Sequence, residues 1–348
     1  MRPADAPLVL EPLLKARAWG GDRLAALGKR MPAAAPGTRW GESWEVADLG
    51  PPIADGVSRV ARGPWAGRFL RELIELDPAG ILGVLAARGR FPLLVKFLDA
   101  GENLSVQVHP SPEYARSHPD AHLKTEAWVV LAAAPGAVIY RGIRPEVTPE
   151  EFFSDLSGRT LVPRMVSVPA RPGDCFYLPS GIGHALGAGL LVAEVQTPSD
   201  TTYRVFDWDR GDPARPLQVD EARGCLRFGA AQEDGTPGIV RRDEIRPLRS
   251  AGFATRELCR SGAFRIESIE AERDDDLPLV TDGVPVVLMA LKGEGMRFHG
   301  SGPELLLAAG ETAIVPASLR GWSLRMPRGC EVLRAAPASD LDRMRAGS

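Results

Sequence analysis

The sequence predicts a mainly β protein, a jelly-roll barrel with helical insertions, followed by a second, smaller barrel of degenerate form. Three observations carry that reading. Short apolar or alternating runs recur along most of the chain, with glycines and prolines between them, the punctuation of a sandwich or barrel. A helical period is confined to a few windows, near residues 67–90, 111–118 and 148–156. Finally, Gly310-Glu-Thr-Ala-Ile-Val-Pro316 repeats the spacing of Gly173-Asp-Cys-Phe-Tyr-Leu-Pro179, an internal echo expected of a repeated unit.

Residues 8 to 50 read as short strands and turns: Leu-Val-Leu, then Ala-Trp-Gly-Gly, then Trp-Gly-Glu-Ser-Trp-Glu-Val-Ala-Asp. Gly20 and Gly21 after Trp19 permit a tight turn or close backbone approach to a bound molecule. Phe69, Leu70, Leu73 and Ile74 share one helical face, and Ile81, Leu82 and Leu85 share another after Pro78. Ser111-Pro112-Glu113 and Thr148-Pro149-Glu150-Glu151 are helix starts, the second with capping-box spacing. Strands are expected over 93–98, 104–109, 126–131, 137–140, 165–168, 175–178, 190–197 and 202–206. Residues 229–247 are polar and rich in charge of both signs, the composition of a linker. The expected division is therefore 1–228, the linker 229–247, and a C-terminal unit 248–348. In that unit Gly321 stands where His184 stands in the first frame, so no metal site is expected there, and His299 is expected to lack partners.

A net charge of −3 and the absence of any strongly basic run argue against a nucleic-acid or membrane-surface partner. The first residues lack the apolar core of a signal peptide, which places the expected protein in the cytoplasm. Cys175, Cys225, Cys259 and Cys330 are scattered, so neither a disulfide framework nor a thiolate zinc site is expected. Basic charge rests almost wholly on arginine, yet Lys96 and Lys124 lie beside the site segments, where a compact ammonium has its uses.

The segment 104–109 alternates Leu104, Val106 and Val108 with Ser105, Gln107 and His109. A strand sends the two sets to opposite faces, so Gln107 and His109 point the same way, about 7 Å apart. Glu126 opens a second strand, and the run ending at Pro179-Ser-Gly-Ile-Gly-His184 delivers another imidazole. If these are adjacent strands of one barrel, Gln107, His109, Glu126 and His184 converge inside it. Two imidazoles, a carboxylate and an amide oxygen suit Zn²⁺, with Mn, Fe or Co as competitors. With no cysteine in the set, an open site that admits water or substrate is favoured over a closed structural one. A lone histidine is more often an ordinary buried residue than a ligand, and only the combined spacing shifts that balance. Alternation along 190–197 puts Glu194 at a barrel mouth or interior, where a buried acid needs a partner. Arg204 on the following strand is the obvious one.

Gly173, Pro179, Gly181 and His184 match the second motif of the cupin superfamily, except that Ala188 replaces its terminal Asn. The first cupin motif is partly kept, with Gln107 in place of the first His of its His-x-His pair. Those departures, with Gln107-Val-His109-Pro110, Lys124-Thr-Glu126-Ala-Trp128 and the stretch from Glu194 through Ser199-Asp200 to Arg204, resemble the type I mannose-6-phosphate isomerase family, particularly its short bacterial form. Trp19-Gly-Gly, Gly41-Glu-Ser-Trp44, Phe91-Pro-Leu-Leu-Val-Lys96 and Thr202 to Asp209 extend the resemblance over roughly residues 8 to 210. It implies an isomerase that interconverts mannose 6-phosphate and fructose 6-phosphate with one Zn²⁺. The implied ligands are Gln107, His109, Glu126 and His184, and Lys96, Lys124, Ser105, Trp19, Glu194, Asp200 and Arg204 would line the sugar and phosphate site. Glu194 is the expected base, with Asp200 or a metal-bound water in reserve. Arg204 would stabilise negative charge or keep Glu194 ionised. Lys96 and Lys124 are candidates for the phosphate. Rival readings are a non-catalytic sugar-binding bicupin and a metal-dependent cupin oxygenase.

Overall fold

The computed structural model describes residues 2–51, 53, 55–229 and 234–339. Part of the expected linker, 230–233, and the end of the expected C-terminal unit, 340–348, lie outside the described residues.

Two antiparallel sheets make the first barrel. The larger runs in the order Ile239–Val240, Cys175–Leu178, Glu126–Ala133, Leu190–Gln196, Leu94–Ala100, Leu13–Gly21, Trp40–Val46. The smaller runs Tyr203–Phe206, Val106–Val108, His184–Leu186, Val138–Ile143, Met165–Pro169. Trp19, Leu98, Trp128, Val130, Ile139, Phe176, Leu186 and Val192 fill the space between them. This is the jelly-roll sandwich of a cupin, built as expected from strands with a period of two.

Period-two alternation explains how polar groups enter that interior. Along Glu126–Ala133, the residues Glu126, Trp128 and Val130 face inward, while Ala127 and Val129 join the core on the other face. Along Leu190–Gln196 the inward set is Leu190, Val192, Glu194 and Gln196. The antiparallel register puts Glu194 opposite both Lys96 and Trp128, and Gln196 opposite Glu126. The interior face is therefore apolar at one end of the strands and charged at the other. The opposite face of the sheet, with Val95, Phe97, Ala193 and Val195, belongs to a core shared with Phe264, Ile266, Val287 and Leu333. Residues on both faces of this sheet are buried, which fixes its register.

The smaller sheet is covered by helices. Val106 and Val108 pack outward against Phe152, Leu161, Ala222 and Cys225, from the helices Pro149–Ser154, Gly158–Arg164 and Val219–Cys225. Leu104 precedes the strand and turns inward instead. The Thr148/Glu151 capping box forms, and Ser111 caps Pro112–Ser117 by accepting from the Tyr114 amide. The window 67–90 resolves into Leu70–Leu76, Pro78–Leu82 and a 3-10 segment, Gly83–Arg88. The helices Gly158–Arg164 and Val219–Cys225 were not expected. Each has seven residues, too few for a clear periodic signal, and the first carries a glycine and a proline.

Beyond residue 247 the strands form two further sheets, of seven and four strands. The seven-stranded one includes Leu8–Val9, paired to Ile314 and Ala313, while Ile239–Val240 joins the first barrel at Phe176 and Cys175. The chain thus crosses the expected boundary twice. The two echoing frames have the same local shape: Gly173 and Gly310 take φ of +91° and +81°, and each precedes a buried strand, Cys175–Leu178 or Thr312–Val315. A Cβ at Gly310 would sit 1.6 Å from the Leu27 carbonyl oxygen, so only glycine fits. A buried ion pair stitches the halves together. Lys29 Nζ lies 2.6 Å from Glu45 Oε1, and Glu45 also accepts from Ser43 and Thr312. His299, expected to lack partners, lies on the strand Arg297–His299 with Nε2 3.1 Å from Asp276 Oδ1. Sequence spacing gave no hint of that cross-strand neighbour. Cys175, Cys225, Cys259 and Cys330 are all free thiols, and no helix among the described residues is long and apolar enough to cross a membrane.

Candidate active site

Because Val106 and Val108 bury outward, Gln107 must point into the barrel, and His109 follows it past the end of the strand. Gly181, at φ +94°, turns the chain after Pro179 and donates its amide to the His109 carbonyl at 3.1 Å. That turn starts the strand His184–Leu186, in which His184 pairs with Gln107. Glu126 enters from the other sheet. The ligand atoms of His109, Glu126 and His184 all lie within 4.8 Å of one another, and all three residues are buried.

The tautomers are set by the backbone. His109 Nδ1 donates to the Thr201 carbonyl at 3.0 Å, and His184 Nδ1 to the Ile182 carbonyl at 2.9 Å. A carbonyl can only accept, so each ring carries its proton on Nδ1 and turns a lone pair on Nε2 inward. Those lone pairs face the Glu126 carboxylate, at 3.4 Å from His109 and 3.2 Å from His184. His109 Nε2 and Glu126 Oε1 are buried without a hydrogen-bond partner, and Glu126 Oε2 has only the Lys124 ammonium, at 2.9 Å. Orphaned acceptors converging in this way fit a divalent cation, and unsatisfied buried polar atoms are otherwise costly. Burial, reinforced by the Lys124 charge, drops the His109 imidazole to about 3, so it is neutral at any ordinary pH. Burial alone would raise Glu126, but Lys124 and His109 outweigh it and hold the carboxyl well below its usual range.

Gln107 belongs to the group with its amide turned. Its Nε2 lies 3.3 Å from His184 Nε2, and its Oε1 accepts from Ser105 Oγ at 3.1 Å. In this orientation the amide offers its oxygen to Ser105 rather than to the centre.

The rest of the site lies in a cavity of about 470 Å³. Trp19, Lys96, Gln107, Lys124, Glu194, Asp200 and Arg204 all line it, and Ser105 sits behind Gln107. The expected Glu194–Arg204 pair is not formed. The two residues stand on opposite sheets, with Arg204 registered to Gln107, and Glu194 is instead held by Lys96 Nζ at 3.0 Å and Trp128 Nε1 at 3.1 Å. Burial raises Glu194, with Lys96 opposing and Glu126 adding to the rise. Burial disfavours the Lys96 charge, yet Glu194 and Glu42 lift that ammonium above its usual value. Both lysines are committed to carboxylates, since Lys124 Nζ lies 2.9 Å from Glu126 Oε2. Arg204 Nε is buried with no partner, and burial with the nearby Arg215 charge lowers its guanidinium.

The charged cavity residues given no role by the sequence reading are Arg17, Glu42, Asp212 and Arg215. Arg17 Nε meets Glu42 Oε1 at 2.8 Å, and the Trp44 indole also donates to Glu42. Burial alone would raise Glu42, but Lys96 and Arg17 hold it at about 2. Position could have found Arg17, which stands two residues from Trp19 on one strand.

Comparisons with known proteins agree on one family. Residues 8–131 match the family model described as phosphomannose isomerase type I, catalytic domain. The mannose-6-phosphate isomerase of Streptococcus mutans serotype c is 31% identical over 319 residues, covering 91% of this chain and 94% of that protein. The probable mannose-6-phosphate isomerase GmuF of Bacillus subtilis (strain 168) is 39% identical over 238 residues, 67% of this chain and 72% of that one. A crystal structure of the mannose 6-phosphate isomerase from Bacillus subtilis superposes with a TM-score of 0.79 at 26% identity, covering 95% of this chain and 99% of that one. With near-complete coverage of a relative above 30% identity and the same fold throughout, the chain is an enzyme of the type I mannose-6-phosphate isomerase family.

Proposed function

We propose that the enzyme interconverts mannose 6-phosphate and fructose 6-phosphate through an enediol or enediolate of the open-chain sugar, with one divalent cation, Zn²⁺ by preference, at the His109–Glu126–His184 centre. The observation that carries this reading is the convergence of buried ligand atoms of those three residues within 4.8 Å of one another, with His109 Nε2 and Glu126 Oε1 left without a hydrogen-bond partner. Gln107 would complete the set through its amide oxygen once the amide turns over. Two imidazoles with a carboxylate favour Zn²⁺ over the hard, oxygen-preferring ions. A cation held there would polarise the sugar carbonyl and offset negative charge on the C1 and C2 oxygens.

The remaining roles fall to the chain's own groups. Glu194 takes the proton from one carbon and returns it to the next, because a carboxylate raised by burial is a stronger base than an ordinary one. Lys96 and Trp128 fix its orientation. Asp200, which lines the same cavity, is the reserve base. Arg204, with its Nε unpaired, stabilises the developing oxyanion. Trp19 covers one wall, and Ser105 holds Gln107. Residues 1–228 act as the catalytic unit. The sheets beyond residue 247 act as a degenerate second barrel, buttressing the larger catalytic sheet from behind.

The test is isomerase activity on mannose 6-phosphate before and after chelation, then after return of zinc, manganese, iron or cobalt. Activity lost on chelation and restored by metal is expected. Full activity in protein shown to be metal-free would overturn the metal reading, and metal-loaded protein inert on this sugar would overturn the substrate.

A further inference from the structure

One wall of the cavity is a loop whose outer side faces solvent. Asp212, Ala214 and Arg215 line the cavity. The loop leaves the strand Tyr203–Phe206 and comes back to it: the Gln218 amide donates to the Arg204 carbonyl at 2.9 Å, and the Arg204 amide donates to Gln218 Oε1 at 2.9 Å. Ends pinned that closely define an Ω-type loop. Its first part is a firm base. Asp207 is buried, the Trp208 indole donates to the Leu104 carbonyl at 2.6 Å, and Arg210 meets Asp207 Oδ1 at 3.0 Å while donating also to the Asn103 carbonyl. Trp208 and Asp209 both take φ of +56°, a left-handed conformation that such side chains disfavour and that the surrounding contacts must sustain.

The second part, 211–217, is held lightly. Its hydrogen bonds from the Ala214 amide to Asp212 Oδ1 and from the Arg215 amide to the Asp212 carbonyl are internal. Among the described residues, one polar side-chain contact ties it to the base: Arg215 Nε and Nη2 donate to Asp207 Oδ2 at 2.9 Å and Oδ1 at 3.0 Å. Its apolar side chains, Pro213, Ala214, Pro216 and Leu217, are all exposed.

We infer that 211–217 is a flap over the cavity, and that Asp207, which does not itself line the cavity, is the positioning residue that latches the flap shut through Arg215. Opening breaks a bidentate ion pair and exposes little apolar surface, so the flap belongs to the least stable part of the site. Closing it shields the bound molecule from water. The isomerase reading above supplies what enters the cavity; the latch itself stands on the contacts within the loop.

The test pairs limited proteolysis with kinetics. Trypsin cuts after arginine unless proline follows, so in this loop it reads Arg210–Gly211 and spares Arg215–Pro216. Arg215→Gln breaks the latch while leaving Asp207 paired with Arg210. Asp207→Asn breaks it while leaving Arg215 its charge. In both variants cleavage after Arg210 should accelerate about 10-fold, the size of a lost hydrogen bond to a charged group, because proteolysis tracks the open population. Arg215→Lys should restore part of the protection. KM for mannose 6-phosphate should rise by a similar factor in both variants with kcat and metal content nearly unchanged, a split that a merely structural role would not produce. The double variant should be no worse than either single one, since both remove one contact. Cleavage no faster than in the parent in either variant would overturn the flap. Faster cleavage with KM constant, or a lower KM for Asp207→Asn from its freed guanidinium, would overturn its role at the cavity. Proteolysis needs no turnover, so it reads the latch even if the protein proves inactive on mannose 6-phosphate, and failure of the flap is told apart from failure of the substrate assignment.

Discussion

Replacing Glu194 by Gln removes a proton acceptor while keeping the shape of the side chain. The carboxylate accepts from Lys96 Nζ at 3.0 Å and from Trp128 Nε1 at 3.1 Å. A Gln oxygen can accept only on one side, and its NH₂ must then face a donor. Lys96 would still have Gln196 Oε1 at 2.8 Å and the Glu42 charge nearby, so its ammonium is not stranded. The expected loss is that of general-base catalysis, about 10²- to 10⁴-fold in kcat, with metal content retained because Glu194 is not one of the three centre residues. The assay is initial-rate isomerisation with elemental analysis and thermal melting on the same preparation. A kcat within about threefold of the parent, in folded and metal-loaded protein, would refute the assignment, and Asp200→Asn would become the next variant. The same residue fixes a pH dependence. Burial raises the Glu194 pKa, and a base works only when ionised, so kcat/KM should decline as pH falls through that raised value and flatten above it. A profile unaltered by Glu194→Gln would show that another group titrates.

Arg204→Ala should keep fold and metal but lower kcat about 10²-fold or more, if its unpaired guanidinium stabilises transition-state charge; unchanged turnover would remove it from the mechanism. The His109 imidazole should stay neutral well below the ordinary value of about 6.5, because burial and the Lys124 charge hold it at about 3; ring NMR of metal-free protein showing His109 titrating near the ordinary value would contradict that. Glu42, at about 2 against an ordinary 4.5, contributes about 3 kcal/mol by linkage. A depressed carboxyl stabilises above its unfolded pKa and ceases to do so as pH falls through its folded one, so about 2 kcal/mol should be gone by about pH 3. Denaturant titrations of the parent and Glu42→Gln at several pH values would read this, and parallel pH curves for the two would refute it.

Strand alternation was legible in the sequence where a strand turns polar groups to the cavity and apolar ones to the opposite face. It placed Glu126, Glu194 and Gln107 toward the interior without any coordinates. What it could not supply was register. Glu194 was assigned to Arg204 because the two are close in sequence, but the sheet order puts Lys96 opposite it, from a strand about a hundred residues earlier. Arg17 and Glu42 were missed for a related reason: an ion pair between strands leaves no local pattern. Arg215, on a loop, pairs with Asp207 eight residues earlier, where no strand or helix period points one at the other. Within the linker expected at 229–247, Ile239–Val240 pairs with the first barrel; only the polar composition of that stretch was readable. The return of Leu8–Val9 to the C-terminal sheet was not, since strand pairing over about three hundred residues is a property of the packed core. The two short unforeseen helices depend on the apolar face of the smaller sheet for their stability, and isolated helices of that length have little of their own.

Everything in the mechanism depends on His109, Glu126 and His184 holding one cation. Elemental analysis of protein purified without chelator and loaded with Zn²⁺, compared with His184→Ala treated identically, tests this most directly. About one equivalent per chain in the parent is expected, with little or none in the variant, since structural and catalytic zinc sites lose their affinity with a ligand. Equal metal in both proteins, or none in the folded parent with any of Zn²⁺, Mn²⁺, Fe²⁺ or Co²⁺, would contradict the account.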